Sequence, residues 1–148
     1  MKIKVYIEIE QFSNIKYEYD KNQQKLVVDR ILDESFTYPF AYGYIPNTLA
    51  LDNDELDVLI ISNKPIKNDT YYDVYIIGCL VMEDEKGMDE KILCVLEEDE
   101  ISDLDDKVKN DIYNFFANYK KNSENKWSRV IGFTTKDLAI ELYKKSIV

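Results

Sequence analysis

Polar and apolar residues alternate in three stretches near the start of the chain, at positions 4–10, 15–20 and 25–30. A period of two turns every second side chain toward one face, so the pattern predicts three short β-strands. They are joined through Ser13-Asn14 and a polar turn at 20–24, in the order of a meander. The stretch 36–51 is aromatic-rich, carries Pro39, Gly43 and Pro46, and keeps no clean period. It reads as an ordered loop leading into a strand. Unbroken apolar runs at 56–61, 74–82 and 91–96 are β-rich and short, as expected of strands buried on both faces. Six or so such strands suggest a closed or nearly closed barrel.

Beyond Asp103 the period lengthens. Leu104, Val108, Ile112, Phe115, Phe116 and Tyr119 recur every three or four residues, which predicts one amphipathic helix of about 18 residues. Ser102 and Asp105 are spaced as its capping box. A second helix is expected after Thr134, with Asp137 three positions on and Leu138, Leu142 and Tyr143 along its stripe. With no repeat, linker or low-complexity segment, residues 1–148 read as one domain.

Charge narrows the partners. Lys and Arg number 19 against 29 Asp and Glu, a net charge of -10 that repels nucleic acid and anionic membranes over most of the surface. The first residues lack the apolar core of a secretion signal, and no apolar run approaches the roughly 20 residues of a membrane helix. Cys79 and Cys94 each sit inside an apolar stretch, which predicts buried, reduced thiols and a soluble cytoplasmic protein. The chain has no histidine, so Ser/His/Asp and Cys/His triads and histidine-bound zinc are excluded.

Three features carry candidate chemistry. Asp52-Asn-Asp-Glu-Leu-Asp57 sets three aspartates directly before an apolar strand. Three carboxylates so close raise one another's proton affinity unless a cation sits among them. Taken alone, such a run is also an ordinary solvated turn. An EF-hand loop does not fit, because Asp57 stands where glycine is needed and Asn63 where the closing glutamate belongs. Glu83-Asp-Glu-Lys-Gly-Met-Asp-Glu-Lys91 is a second acidic run between apolar strands, equally compatible with a polar hairpin loop turning at Gly87. Tyr38, Tyr42 and Tyr44 fall at even spacing, where core packing is the simplest explanation for any one of them. Lys16, Glu18 and Arg30 are, singly, ordinary strand-surface charges.

In combination these pieces resemble the family I soluble inorganic pyrophosphatases, from Val5 to about Phe133. The resemblance runs through Ile7-Glu-Ile, Ile15-Lys-Tyr-Glu, Val28-Asp-Arg, Tyr38-Pro, Tyr42-Gly-Tyr-Ile, the triple-aspartate run, Met82-Glu-Asp-Glu, Gly87-Met-Asp-Glu-Lys and Phe115-Phe-Ala-Asn-Tyr-Lys. It implies an α+β fold: a small, mostly antiparallel, OB-like β-barrel flanked by two α-helices. It also implies Mg²⁺-dependent hydrolysis of pyrophosphate to two orthophosphates, with several ions per site. Asp52, Asp57, Asp84 and Asp89 would be metal ligands, with Glu8, Glu18 and Glu85 nearby or bound through water. Lys16, Arg30, Tyr42, Lys91, Tyr119 and Lys120 would contact substrate, supported by Tyr38. Asp54 would be the general base for in-line attack by a metal-bridged water.

The charge count agrees with that chemistry, since these eight carboxylates outnumber Lys16, Arg30, Lys91 and Lys120 by four and would repel pyrophosphate without metal. Mg²⁺ suits such an all-oxygen donor set. The resemblance further implies a homo-oligomer, with a hexamer favoured over a dimer. This chain departs from the family in several places. It begins close to its first strand, and its connection from Leu96 to the long helix is short. No proline follows at once after 56–61, and Phe133 stands in place of a usual tryptophan. Asn114 and Asn118 occupy helix positions where some bacterial relatives carry histidine.

Overall fold

The computed structural model describes residues 1–99 and 104–148. Five strands close a ring: β1 (Lys2–Ile9), β4 (Ala41–Ile45), β5 (Leu56–Ile60), β8 (Lys91–Leu96) and β6 (Thr70–Asp84), with β6 returning to pair with β1. Every ring pairing is antiparallel except β5 with β8. The two-residue β7 (Gly87–Met88) and β9 (Ser128–Thr134) add to the far end of β6. The expected α+β class and mostly antiparallel barrel are borne out. The meander is not: β2 (Ile15–Asp20) and β3 (Lys25–Ile31) form a separate two-stranded hairpin, and β1 bonds instead to β4 and β6.

Ring strands are apolar on both faces because each face meets its own core. Val58, Ile60, Ile92 and Cys94 join Ala139 in one cluster. Leu59, Ile61, Leu93 and Val95 join Ile112, Phe115 and Phe116 in the other. Helix α1 (Asp106–Asn118) thus covers one face, while α2 (Lys136–Ser146) lies against the other cluster. Both cysteines are buried and free, as their apolar setting predicted.

Four local readings need correction. The aromatic stretch contains a strand, β4, whose burial on both sides erased the alternation that would have marked it. β9, for which the sequence pattern predicts no element, is a half-buried strand on the side of β6. Helix α1 has 13 residues, capped by Asp105, whose carboxylate accepts from the Val108 N–H. Ser102 lies outside the described residues. Helix α2 is capped by Thr135, one residue later than the spacing suggested.

Backbone irregularities aim two charges. In the β1–β4 ladder Ile7 pairs with Gly43 and Ile9 with Tyr42, so Glu8 is the extra residue of a β-bulge. Gly43 is required there, since a Cβ would sit 1.8 Å from the Tyr6 carbonyl oxygen. In the hairpin Lys16 pairs with Arg30 and Tyr17 with Val28, leaving Asp29 as the bulged residue.

Candidate active site

One cleft of about 730 Å³ lies between the hairpin, the ring and the C-terminal end of α1. All fourteen residues singled out from the sequence line it, as does Tyr38. β1 supplies Glu8; the hairpin supplies Lys16, Glu18 and Arg30; β4 supplies Tyr42. The turn before β5 supplies Asp52 and Asp54, and Asp57 lies within that strand. Asp84, Glu85, Asp89 and Lys91 come from the β6–β8 connection, while Tyr119 and Lys120 follow α1.

The floor is aromatic. Tyr38 packs against Phe115 with the rings tilted and 4.5 Å apart, and Phe115 in turn stacks on Tyr119 at 5.2 Å. Above it, Lys91 is buried with all three ammonium protons directed: to Tyr42 Oη at 2.8 Å, Asp57 Oδ2 at 2.9 Å and Asp89 Oδ2 at 3.1 Å. The parallel register explains the contact, because Asp57 and Lys91 are Cα partners on β5 and β8. Burial pulls the lysine pKa down, but Asp57, Tyr42 and Asp89 outweigh it and hold the ammonium well above its usual range. Lys120 forms a second centre, 2.9 Å from Asp84 Oδ2 and 3.2 Å from Glu85 Oε1.

The hairpin holds Lys16 and Arg30 directly opposite one another, an unfavourable cross-strand pair. Bulged Asp29 relieves it from one side, 3.2 Å from Lys16. Arg30 reaches Ser123 Oγ at 3.4 Å and lies over the Tyr119 ring, yet its buried Nε has no hydrogen-bond partner among the described residues. A buried, unpartnered guanidinium donor in a cleft is a place for an anion.

The acids show the opposite need. Burial, with Asp57 and Glu18 nearby, pushes the Glu8 carboxyl up to about 8, although the Tyr19 N–H donates to it at 2.8 Å. Asp54 is pushed up to about 6 by the adjoining Glu55 carboxyl and by burial. Burial also raises Asp89 in spite of Lys91. The lining, among the described residues, holds eleven carboxylates against seven cations. Among the described residues no three of these acids converge tightly enough to enclose an ion as they stand. Several are turned to lysines instead. The donor set is nonetheless all oxygen and short of cations, as hard divalent ions prefer.

Some lining residues were missed from the sequence. Asp29 and Glu55 sit inside motifs that were recognised, beside Arg30 and Asp54, and their position next to those residues was the available signal. Lys86 likewise lies inside the Glu83–Lys91 run, beside Glu85, whereas Lys21 and Lys126 carry no comparable local mark.

The family model for inorganic pyrophosphatase matches residues 5–148. The chain belongs to the inorganic pyrophosphatase family. It is 43% identical to the inorganic pyrophosphatase of Campylobacter jejuni, over 99% of this chain and 90% of that one. Identity to the Saccharolobus solfataricus inorganic pyrophosphatase is 40%, over 98% and 90%. The solved inorganic pyrophosphatase of Helicobacter pylori superposes with a TM-score of 0.94 at 38% identity, covering 99% of this chain and 91% of that chain. The Thermus thermophilus structure gives 0.94 at 37%, covering 99% and 89%. Family membership therefore agrees with the architecture of the ring and its two helices.

Proposed function

We propose that residues 1–148 act as a single domain that hydrolyses inorganic pyrophosphate to two orthophosphates with the aid of Mg²⁺. The observation that carries this reading is the gathering, among the described residues, of eleven carboxylates and seven cations in one cleft, with no partner among them for the Arg30 Nε donor. Family membership and the donor chemistry support the same conclusion.

Asp52, Asp57, Asp84 and Asp89 would hold the metal ions, with Glu8, Glu18 and Glu85 close by. Bound there, Mg²⁺ would offset the surplus negative charge and lower the pKa of attacking water. The chain's own groups do the rest. Asp54, in the turn before β5 that lines the cleft, accepts the proton of the attacking water. Lys16 and Arg30 face each other across the hairpin and clamp phosphate oxygens between them. Tyr42 and Tyr119 offer hydroxyl donors, while Lys91 and Lys120 orient the carboxylates they bind and take up charge developing on the leaving phosphate. Tyr38 supports Tyr42 from below, 5.4 Å away ring to ring. We place the enzyme in the cytoplasm as a homo-oligomer, a hexamer before a dimer.

Phosphate release from pyrophosphate is the test, measured with Mg²⁺, with Ca²⁺ and with chelator, and set against ATP and phosphomonoesters. Mg²⁺-dependent release that prefers pyrophosphate is expected, and Asp54→Asn should lower it by roughly 10²–10⁴ while sparing the fold. No release from folded, metal-loaded protein would overturn the proposal; wild-type rates in Asp54→Asn would remove that residue as the base.

A further inference from the structure

The cleft is bridged at its mouth. Lys21, at the tip of the β2–β3 hairpin, reaches 2.6 Å to Glu55 Oε1 in the turn that carries the triple aspartate. The two residues belong to opposite walls of the cleft. Neither end of the bridge is slack. Asp20 pins the hairpin tip by accepting from the Asn22 and Gln23 N–H groups at 2.8 and 2.9 Å. The acidic turn is braced by its own backbone, with the Ala50 N–H donating to the Asp54 carbonyl at 2.7 Å and the Asp54 N–H to Asp52 Oδ1 at 3.1 Å.

Glu55 connects the bridge to Asp54. Its N–H donates to Asp54 Oδ1 at 3.0 Å. The Glu55 side chain is largely enclosed, 18% exposed, whereas Lys21 is 74% exposed. Two acidic side chains side by side would swing apart without a cation on one of them. Lys21 supplies that cation to Glu55 and so holds the residue whose N–H orients Asp54 Oδ1.

We propose that Lys21 and Glu55 form a clasp across the cleft mouth, in which Glu55 is the positioning residue for the Asp54 carboxylate. The proposal rests on the reading of Asp54 as the general base. An ion pair whose lysine lies in solvent contributes little to stability, so the fold should not depend on the clasp. Its effect should fall on the orientation of one carboxylate, hence on turnover more than on substrate affinity.

The test is a double-mutant cycle on the metal-loaded enzyme. Lys21→Met and Glu55→Gln should each lower kcat roughly three- to fivefold, the scale of an exposed ion pair expressed as a rate, with KM within about twofold. The double variant should lose no more than either single one, and Lys21→Arg should retain most of the activity. A KM rise without a kcat fall in Lys21→Met, or losses that multiply in the double variant, would mean that Lys21 only attracts the anion, and the clasp would be refuted. Amide exchange gives a readout independent of turnover. Exchange of the Glu55 N–H, the donor to Asp54 Oδ1, should quicken in Lys21→Met, and unchanged exchange there overturns the clasp whatever the kinetics. Full activity in Asp54→Asn would instead strike the base assignment, leaving exchange to decide the bridge.

Discussion

The five-stranded ring and the β2–β3 hairpin feed charged groups into the same cleft from opposite circumstances. Every side chain of β8 is buried, including Lys91, and β5 is nearly as enclosed. No residue of β2 or β3 is fully buried. Ring charges are therefore positioned by packing and register, as with Asp57 beside Lys91. Hairpin charges depend on a few polar ties, from the Tyr19 N–H to Glu8, from Arg30 to Ser123 and from Lys21 to Glu55. Damage to the ring should thus appear as lost fold, and damage to the hairpin as lost function.

The largest effect on stability should come from Gly43→Ala, since its Cβ would collide with the backbone of β1. A loss of at least about 3 kcal/mol and a melting temperature lower by roughly 10 °C are expected in a thermal scan. A melting curve like that of the wild type would show that the ring yields where it is drawn as tight.

Lys91→Met comes next, because it leaves Asp57 and Asp89 close together in a mostly buried setting with their shared cation gone. Unfolding in denaturant should show a loss of about 2 kcal/mol, below the full cost of breaking a buried pair because Asp57 keeps some solvent. Arg30→Lys should leave the midpoint within about 0.5 kcal/mol, as at other half-exposed sites. It should nonetheless lower pyrophosphate turnover about tenfold, because an ammonium cannot reproduce a guanidinium's paired donors. A hairpin variant that melted earlier than a ring variant would reverse the comparison.

The smallest effect is expected at the cysteines of the ring. Burial pushes the Cys79 thiol up to about 12 and raises Cys94 as well, so both stay protonated and enclosed at pH 8. Mass spectrometry after iodoacetamide should find neither modified in the native protein and both modified in guanidinium.

Legibility in the sequence followed the same division. The hairpin strands β2 and β3, with no fully buried residue, announced themselves by alternation, as did β1 although Val5 to Ile9 are all buried, and continuous apolar runs revealed β5, the middle of β6 and β8. β4 did not, because both its faces are buried and Gly43 interrupts it for the sake of a backbone contact made far away in sequence. The site residues could be found by family motif, yet their pairing could not. That Lys91 meets Asp57 follows from a parallel register, and that Glu8 turns into the cleft follows from a bulge. Neither is written in any local pattern. Lys21 and Glu55 were overlooked for the same reason, being 34 positions apart and joined only when the hairpin lies over the turn.

The route by which the ring closes bears on how the chain can be made. β1 must find partners in β4 and, about seventy positions on, in β6, and β5 must wait for β8. Contacts this distant in sequence make for slow closure. The hairpin has all its ladder partners by Ile31, but the ring lacks a wall until Leu96 has been synthesised. During translation β1, β4 and β5 therefore leave the ribosome with unpaired edges and exposed Ile and Val side chains. Over that interval, before any metal or substrate could bind, the nascent chain is most open to chaperones and to aggregation.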